Sequence, residues 1–259
     1  MSIAVDLEAA MVRLLRRAGC VAAEEEAAEL VEVVGGDAER LRQLAERRCS
    51  GEPLAWLTGS VSFCGENVLV HPGVYVPRWQ SEALALEAAA RLPEVGMAVD
   101  LCTGSGAIAV VMSSHRPGAR VVASESDPLA VACARANGVE VFAGDMIAAL
   151  PADLAGRADV VTGVVPYVPT GELRLLPRDV VAFEPRRALD GGEDGTRDLA
   201  QAVTGAAALL RPGGSLLLEL GGDEAELLRP VLAATGYREV ELRVDEEGDL
   251  RGVVCRLWN

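Results

Sequence analysis

Apolar residues at Val5, Leu7, Met11, Leu14 and Leu15 recur at the spacing of one helix face, and Ala27, Leu30, Val31 and Val34 repeat the pattern before Gly35-Gly36 breaks it. Asp37 is placed to cap a third helix through Leu41, Leu44 and Ala45. Residues 1–48 therefore read as a helical domain, too small to be very stable unless it docks on a neighbour. Residues 49–77 mix Gly, Pro and β-branched positions and alternate around Cys64-Gly65-Glu66-Asn67, which predicts a β-hairpin linker.

From Ser81 onward the pattern changes to helices and strands in alternation. It predicts helix 81–92, strand 97–101, helix 106–114, strand 120–124, helix 128–136 and strands 139–143 and 158–164. Helix 197–210, strand 214–220, helix 223–235 and strands 237–244 and 250–257 complete it. Strands joined by single helices make a parallel, doubly wound sheet. The last two strands have no helix between them and should form an antiparallel hairpin at its edge. Residues 78–259 are thus the α/β body of the chain.

Composition narrows the function. The 259 residues carry a formal charge of −15, and all 24 basic residues are Arg, so broad binding to nucleic acid or anionic membrane is disfavoured. Two histidines and six scattered cysteines without a CxxC argue against a metal site and for reduced thiols. The start lacks a signal-peptide core and no run reaches membrane-spanning length, so a cytoplasmic protein is expected.

Candidate chemistry sits at the predicted strand ends. "VDLCTGSGAIAV" puts Gly104-Ser105-Gly106 between an apolar strand and an apolar helix, where the backbone can approach a nucleoside and free helix amides meet an anionic group. Glu125 ends the second strand, where an acid can hold both ribose hydroxyls, and Asp145 with the Met146 amide ends the third, within reach of an adenine edge. Read as G-x-G-x-x-A, the loop also fits a dinucleotide fingerprint. A dehydrogenase, however, needs a proton-transfer group near its nicotinamide, and with two histidines and no lysine no obvious residue supplies one.

The motifs, in order, resemble those of the release-factor glutamine N5-methyltransferases, a class I family dependent on S-adenosylmethionine. "GEPLAWLTG" is similar to their EP-aromatic-L-x-G motif, "VPRWQSE" to PRPDTE, "VDLCTGSGAIA" to LDLGTGSGAIA, "EPRRALDGGEDG" to EPxxALxGGxDG, and "LLLELGG" to a late ExG strand. The resemblance implies a Rossmann-like α/β fold. It implies a cofactor site made by Asp100, Cys102, Thr103, Gly104, Ser105, Gly106, Glu125, Asp145, Met146 and Val164. It further implies a catalytic segment Val165, Pro166, Tyr167, and substrate contacts from Arg78, Trp79, Glu82, Val164, Tyr167, Glu184, Asp190 and Glu219.

One letter departs from the family. Its Asn-Pro-Pro-Tyr motif, whose Asn side chain and following carbonyl accept the two amide hydrogens of glutamine, is here Val164-Val165-Pro166-Tyr167. Val164 has no acceptor, and losing one in a desolvated site costs a few kcal/mol, on the order of 10²-fold in rate. Trp79 and Gln80 likewise replace Pro-Asp. The departure suggests a changed acceptor: the internal guanidine nitrogen of free arginine, methylated in a natural-product pathway and held by Glu184, Asp190 or Glu219. The alternatives are the release-factor glutamine, with another group replacing the Asn, and a protein that binds S-adenosylmethionine without catalysis.

Overall fold

The computed structural model describes residues 3–258, with side chains from residue 8, so the expected packing of Val5 and Leu7 lies outside the described side chains. Helices α1 (Ile3–Ala18), α2 (Ala23–Val34) and α3 (Ala38–Cys49) pack on one another through Leu15, Leu30 and Leu44. Asp37 caps α3 by accepting from the Glu39 and Arg40 amides. A largely buried Arg48–Glu26 ion pair of 2.6 Å ties α3 to α2. A short helix α4 (Leu54–Thr58) then leads into an antiparallel hairpin, β1 (Ser60–Phe63) and β2 (Glu66–Leu69).

The main body follows in the order α5 (Glu82–Arg91), β3 (Met97–Leu101), α6 (Ala107–His115), β4 (Arg120–Glu125), α7 (Pro128–Ala136), β5 (Glu140–Ala143) and β6 (Ala158–Gly163). It continues with α8 (Arg178–Phe183), α9 (Arg197–Leu209), β7 (Leu210–Glu219), α10 (Glu224–Thr235), β8 (Tyr237–Val244) and β9 (Leu250–Leu257). Seven strands form one sheet in the order β5-β4-β3-β6-β7-β9-β8. The first five run parallel, and β9 is antiparallel to both β7 and β8, as the helix-free terminal pair predicts. Helix α8 was not expected; it lies in the aperiodic stretch between β6 and α9.

Every residue of β3 is buried, because helices cover both faces of the sheet. Val99, Leu101, Val161, Leu216 and Leu218 meet Leu199 and Val203 of α9 and Leu228 of α10 on one face. Ala98, Val160 and Leu217 meet Leu84 and Ala88 of α5 and Ile108 and Met112 of α6 on the other. The period-2 alternation of a strand sends neighbours to opposite layers. Each buried Val or Leu stabilises the fold by about 1.5–3 kcal/mol over exposure.

This core sets where chemistry can occur. Leu101 is in register with Ser124 on one side and Gly163 on the other, and Gly163 with Leu218, so β3, β4, β6 and β7 end together. A Cβ on Gly163 would stand 3.0 Å from the Leu101 carbonyl, which is why a glycine closes β6 there. The loops that follow these strands leave from one edge, the usual ligand edge of an open α/β sheet. No helix among the described residues is long and apolar enough to cross a membrane.

Candidate active site

The loop between β3 and α6 is wound tightly, with Cys102, Gly104 and Gly106 at φ of 53°, 60° and 89°. Gly106 is needed for packing as well as for its backbone: a Cβ there would lie 2.7 Å from Val139 Cγ2. Above Gly104, by contrast, a Cβ would meet nothing within 4 Å, leaving the backbone bare toward a cavity. Its amide donates to Glu125 Oε2 at 2.9 Å, and the Asp127 amide donates to Oε1 at 2.8 Å. The two bonds fix the Glu125 carboxylate beside the glycine loop.

Two connected depressions line this loop. One is bounded by Asp100, Cys102, Thr103, Gly104, Ser105 and Val164, the other by Cys102, Gly104, Glu125, Asp127, Val164 and Pro166, and Tyr75 borders both. Within the first, Asp100 Oδ1 and Ser105 Oγ are buried without a hydrogen-bond partner. Buried polar atoms are almost always satisfied. Both residues line this depression, and Ser105 Oγ in particular marks where a polar ligand would supply a missing partner, the Asp100 carboxyl being met in part by the Ala109 backbone. Asp145 and Met146 do not line these depressions; Asp145 is exposed and accepts from Gln201 Nε2 at 3.3 Å.

Beyond Val164 the depressions meet a larger cavity of about 390 Å³. Val164, Val165 and Tyr167 form one wall; Tyr75, Arg78, Gln80, Asp179, Glu219 and Arg251 contribute the polar lining. Tyr167 Oη donates to Glu219 Oε1 at 3.1 Å, and Ser81 Oγ donates to Oε2 at 2.5 Å. Burial raises the Glu219 pKa against the pull of those two bonds, and burial with Glu219 alongside raises that of the Tyr167 phenol.

The substrate residues expected from the motifs divide into two groups. Arg78, Val164, Tyr167 and Glu219 line the large cavity. Glu184 stands behind it, ion-paired with Arg78 and accepting from the Val76 amide at 3.4 Å. Glu82 turns away to the hairpin, accepting from the Cys64 amide at 3.0 Å. Asp190 accepts from Thr170 Oγ1 at 2.6 Å and pairs with Arg186. Trp79 is 69% exposed and lines no part of the cavity, so its ring is on the surface rather than against an acceptor.

Tyr75, which no family motif marks, borders all three spaces, with the Arg78 guanidinium 5.0 Å from its ring centroid. Its signal in the sequence is an aromatic residue in "HPGVYVPR", at the end of the stretch whose composition predicts a linker.

Asp100 offers a pH test. Burial, with a smaller push from Glu125 and against the Thr103 hydroxyl, raises its carboxyl from 3.8 to about 7. A folded pKa above the unfolded one gives stability that is present below pH 3.8 and is lost as pH rises through about 7. In cofactor-free protein, Asp100→Asn should therefore melt progressively higher than the parent as pH climbs from 4 to 7, the gap then levelling off, in differential scanning fluorimetry. A constant gap across that range would refute the shift.

No family model matches the chain. The release factor glutamine methyltransferase of Geobacter sulfurreducens is 36% identical over 222 residues, 83% of this chain and 77% of that one. A 4-amino-L-phenylalanine/4-methylamino-L-phenylalanine methyltransferase of Streptomyces pristinaespiralis is 35% identical over 208 residues, 76% and 70% of the two chains. Among solved structures, a methyltransferase from Pyrococcus furiosus superposes with a TM-score of 0.56 at 20% identity, covering 75% of this chain and 90% of its own. The fold is that of the class I methyltransferases, and the chain belongs to the release factor glutamine methyltransferase family.

Proposed function

We propose that this chain, an S-adenosylmethionine-dependent methyltransferase, methylates the side-chain amide nitrogen of a glutamine, and that the glutamine belongs to a peptide-chain release factor. The observation that carries the reading is the similarity to a release factor glutamine methyltransferase over most of the chain, and the acceptor cavity's charges are in keeping with it. A guanidinium acceptor is cationic and requires an uncommitted carboxylate. Here Glu219 is bonded by Ser81 and Tyr167 and biased by burial toward its neutral form. Glu184 and Asp190 are turned to Arg78 and Arg186, while Arg78 and Arg251 place positive charge in the wall. Arg78 and Arg251 are themselves paired with Glu184 and Asp245, and of the two carboxylates lining the cavity Glu219 is engaged, so a free-arginine acceptor would have only the half-buried Asp179 to meet its charge. A neutral amide needs no counter-ion.

When bound, S-adenosylmethionine would supply an electrophilic methyl group, which the acceptor nitrogen would take with its own lone pair while the methylated nitrogen releases its proton to water, and the sulfur would retain the electrons of its broken bond to carbon. Asp100, Ser105 and Glu125 would hold the cofactor beside the glycine loop. Val164 and Pro166 border its site, while Val164, Val165 and Tyr167 border the acceptor's, so one short segment faces both partners. Near-attack positioning of this kind is the main lever available to a methyl transfer that uses no metal. The bonds from Tyr167 and Ser81 to Glu219 stiffen that segment's wall. A groove lined by Glu29, Glu32 and Asp179, together with Arg48 and Arg78, which are paired with Glu26 and Glu184, is a mildly acidic approach that suits a basic protein surface.

A free amino-acid acceptor is the second reading, favoured by the Streptomyces pristinaespiralis relative, whose name describes such a substrate. Labelled S-adenosylmethionine incubated with a release factor, free glutamine, free arginine and 4-amino-L-phenylalanine separates the two. Label on a glutamine side chain of the release factor is expected. Label in a free amino acid alone would sink the protein-acceptor reading.

A further inference from the structure

Among the described residues lining the acceptor cavity, Gln80 Oε1 is the one buried side-chain oxygen without a hydrogen-bond partner. Of the other polar side chains lining it, Arg78 pairs with Glu184, Glu219 with Ser81 and Tyr167, and Arg251 with Asp245, while Asp179 is half-buried at its border. An unmet amide oxygen carries a desolvation penalty that a donor arriving with a ligand would remove. Val164 and Val165, which line the same cavity, have only hydrocarbon side chains.

The position is also held still. Gln80 is the middle residue of the 3-10 turn Trp79–Ser81. Before the turn Arg78 is anchored to Glu184, whose side chain is 2% exposed, and at its end Ser81 is anchored to buried Glu219. Anchored backbone on both sides lowers the entropy that the turn loses when a ligand binds.

We propose that Gln80 recognises the acceptor group, its side-chain amide pairing with the incoming primary amide in the cavity that Val164 also lines. The inference rests on the glutamine reading above and deepens it. A glutamine amide offers both a carbonyl and an N–H₂ group, so it matches another primary amide in donors and acceptors alike. A guanidinium has no acceptor to offer in return. Gln80 is then a specificity-determining residue that reads the chemistry of the acceptor, while Val164 and Val165 shape the space around it.

Two measurements on the full chain test this. In the presence of S-adenosylhomocysteine, free L-glutamine should bind the parent protein measurably by isothermal titration calorimetry. Gln80→Leu should weaken that binding on the order of tenfold or more, leave the cofactor Kd unchanged, and raise KM more than it lowers kcat for any glutamine acceptor that takes label. In the Gln80→Leu background, Val164→Asn, which returns an amide to the cavity lining, should recover glutamine affinity. Equal glutamine binding by parent and Gln80→Leu would overturn the proposal, and so would no glutamine binding by the parent. The release-factor reading fails separately, if glutamine binds and the release factor still takes no label.

Discussion

Replacing Glu125 with alanine should lower cofactor affinity by about 10²-fold or more while leaving the fold intact. The carboxylate is held by the Gly104 and Asp127 amides, which use one lone pair on each oxygen and leave the others toward the depression that Gly104 and Pro166 border. Hydrogen bonds to a charged group are worth about 1.5–3 kcal/mol each, so losing two to a ribose diol corresponds to ~10²- to 10⁴-fold in Kd. The substitution also frees two backbone amides, one of them in the loop that lies against the ligand. Isothermal titration of S-adenosylhomocysteine into the parent and Glu125→Ala gives the ratio. Glu140→Ala, which removes an exposed partner of Arg120 at the start of β5, is the control and should bind as the parent does. A Glu125→Ala Kd within about threefold of the parent's would place the nucleoside elsewhere.

The regular parts of this fold were legible because each carried its own local instruction. Helix α7 begins on Asp127-Pro128, a side-chain cap followed by a residue suited to the first helical turn, and the expected and observed limits agree at 128–136. Strands β8 and β9 were likewise marked by β-branched residues on either side of a charged, Gly-containing turn. The segment from Gly171 to Asp190 has no period, and its structure is imposed from outside: Glu184 closes on Arg78 and the Val76 amide, over a hundred residues earlier in the chain. The same reason explains the site residues. Glu125 and the glycine loop are placed by strand ends that a pattern can find. Tyr75 and Gln80 reach the cavity only because the stretch after the hairpin folds back over β6 and β7. Glu184 illustrates the converse, an acid assigned to a substrate on motif alone whose carboxylate serves a neighbouring arginine.

The "LDGGEDG" motif has a physical reason that its letters alone do not reveal, and it yields the second large prediction. A Cβ on Gly195 would fall 2.3 Å from the Tyr167 carbonyl oxygen, and one on Gly191 2.7 Å from both the Pro166 carbonyl and Tyr167 Cα. The glycines let this loop lie directly against the backbone of the segment that borders the depressions beside the glycine loop and the larger cavity. A parallel bridge between Val168 and Asp190, with the Val168 amide donating to the Leu189 carbonyl at 2.9 Å, continues the contact. Gly195→Ala must therefore displace Tyr167 and the wall it forms. Because a shift of about 1 Å at a reacting centre can cost 10²-fold in rate, turnover should fall by that order while S-adenosylhomocysteine binding, which depends on the β3 and β4 ends, changes by less than about threefold. Part of any loss reflects backbone strain, since Gly195 has φ of 79°. Gly156→Ala isolates that term: its φ is 68° and a Cβ there meets nothing within 4 Å, so it should cost some thermal stability and leave turnover unchanged. Equal turnover in Gly195→Ala and Gly156→Ala would mean that the glycine loop serves only its own turn. A selective loss in the first would show that the loop sets the position of the acceptor wall.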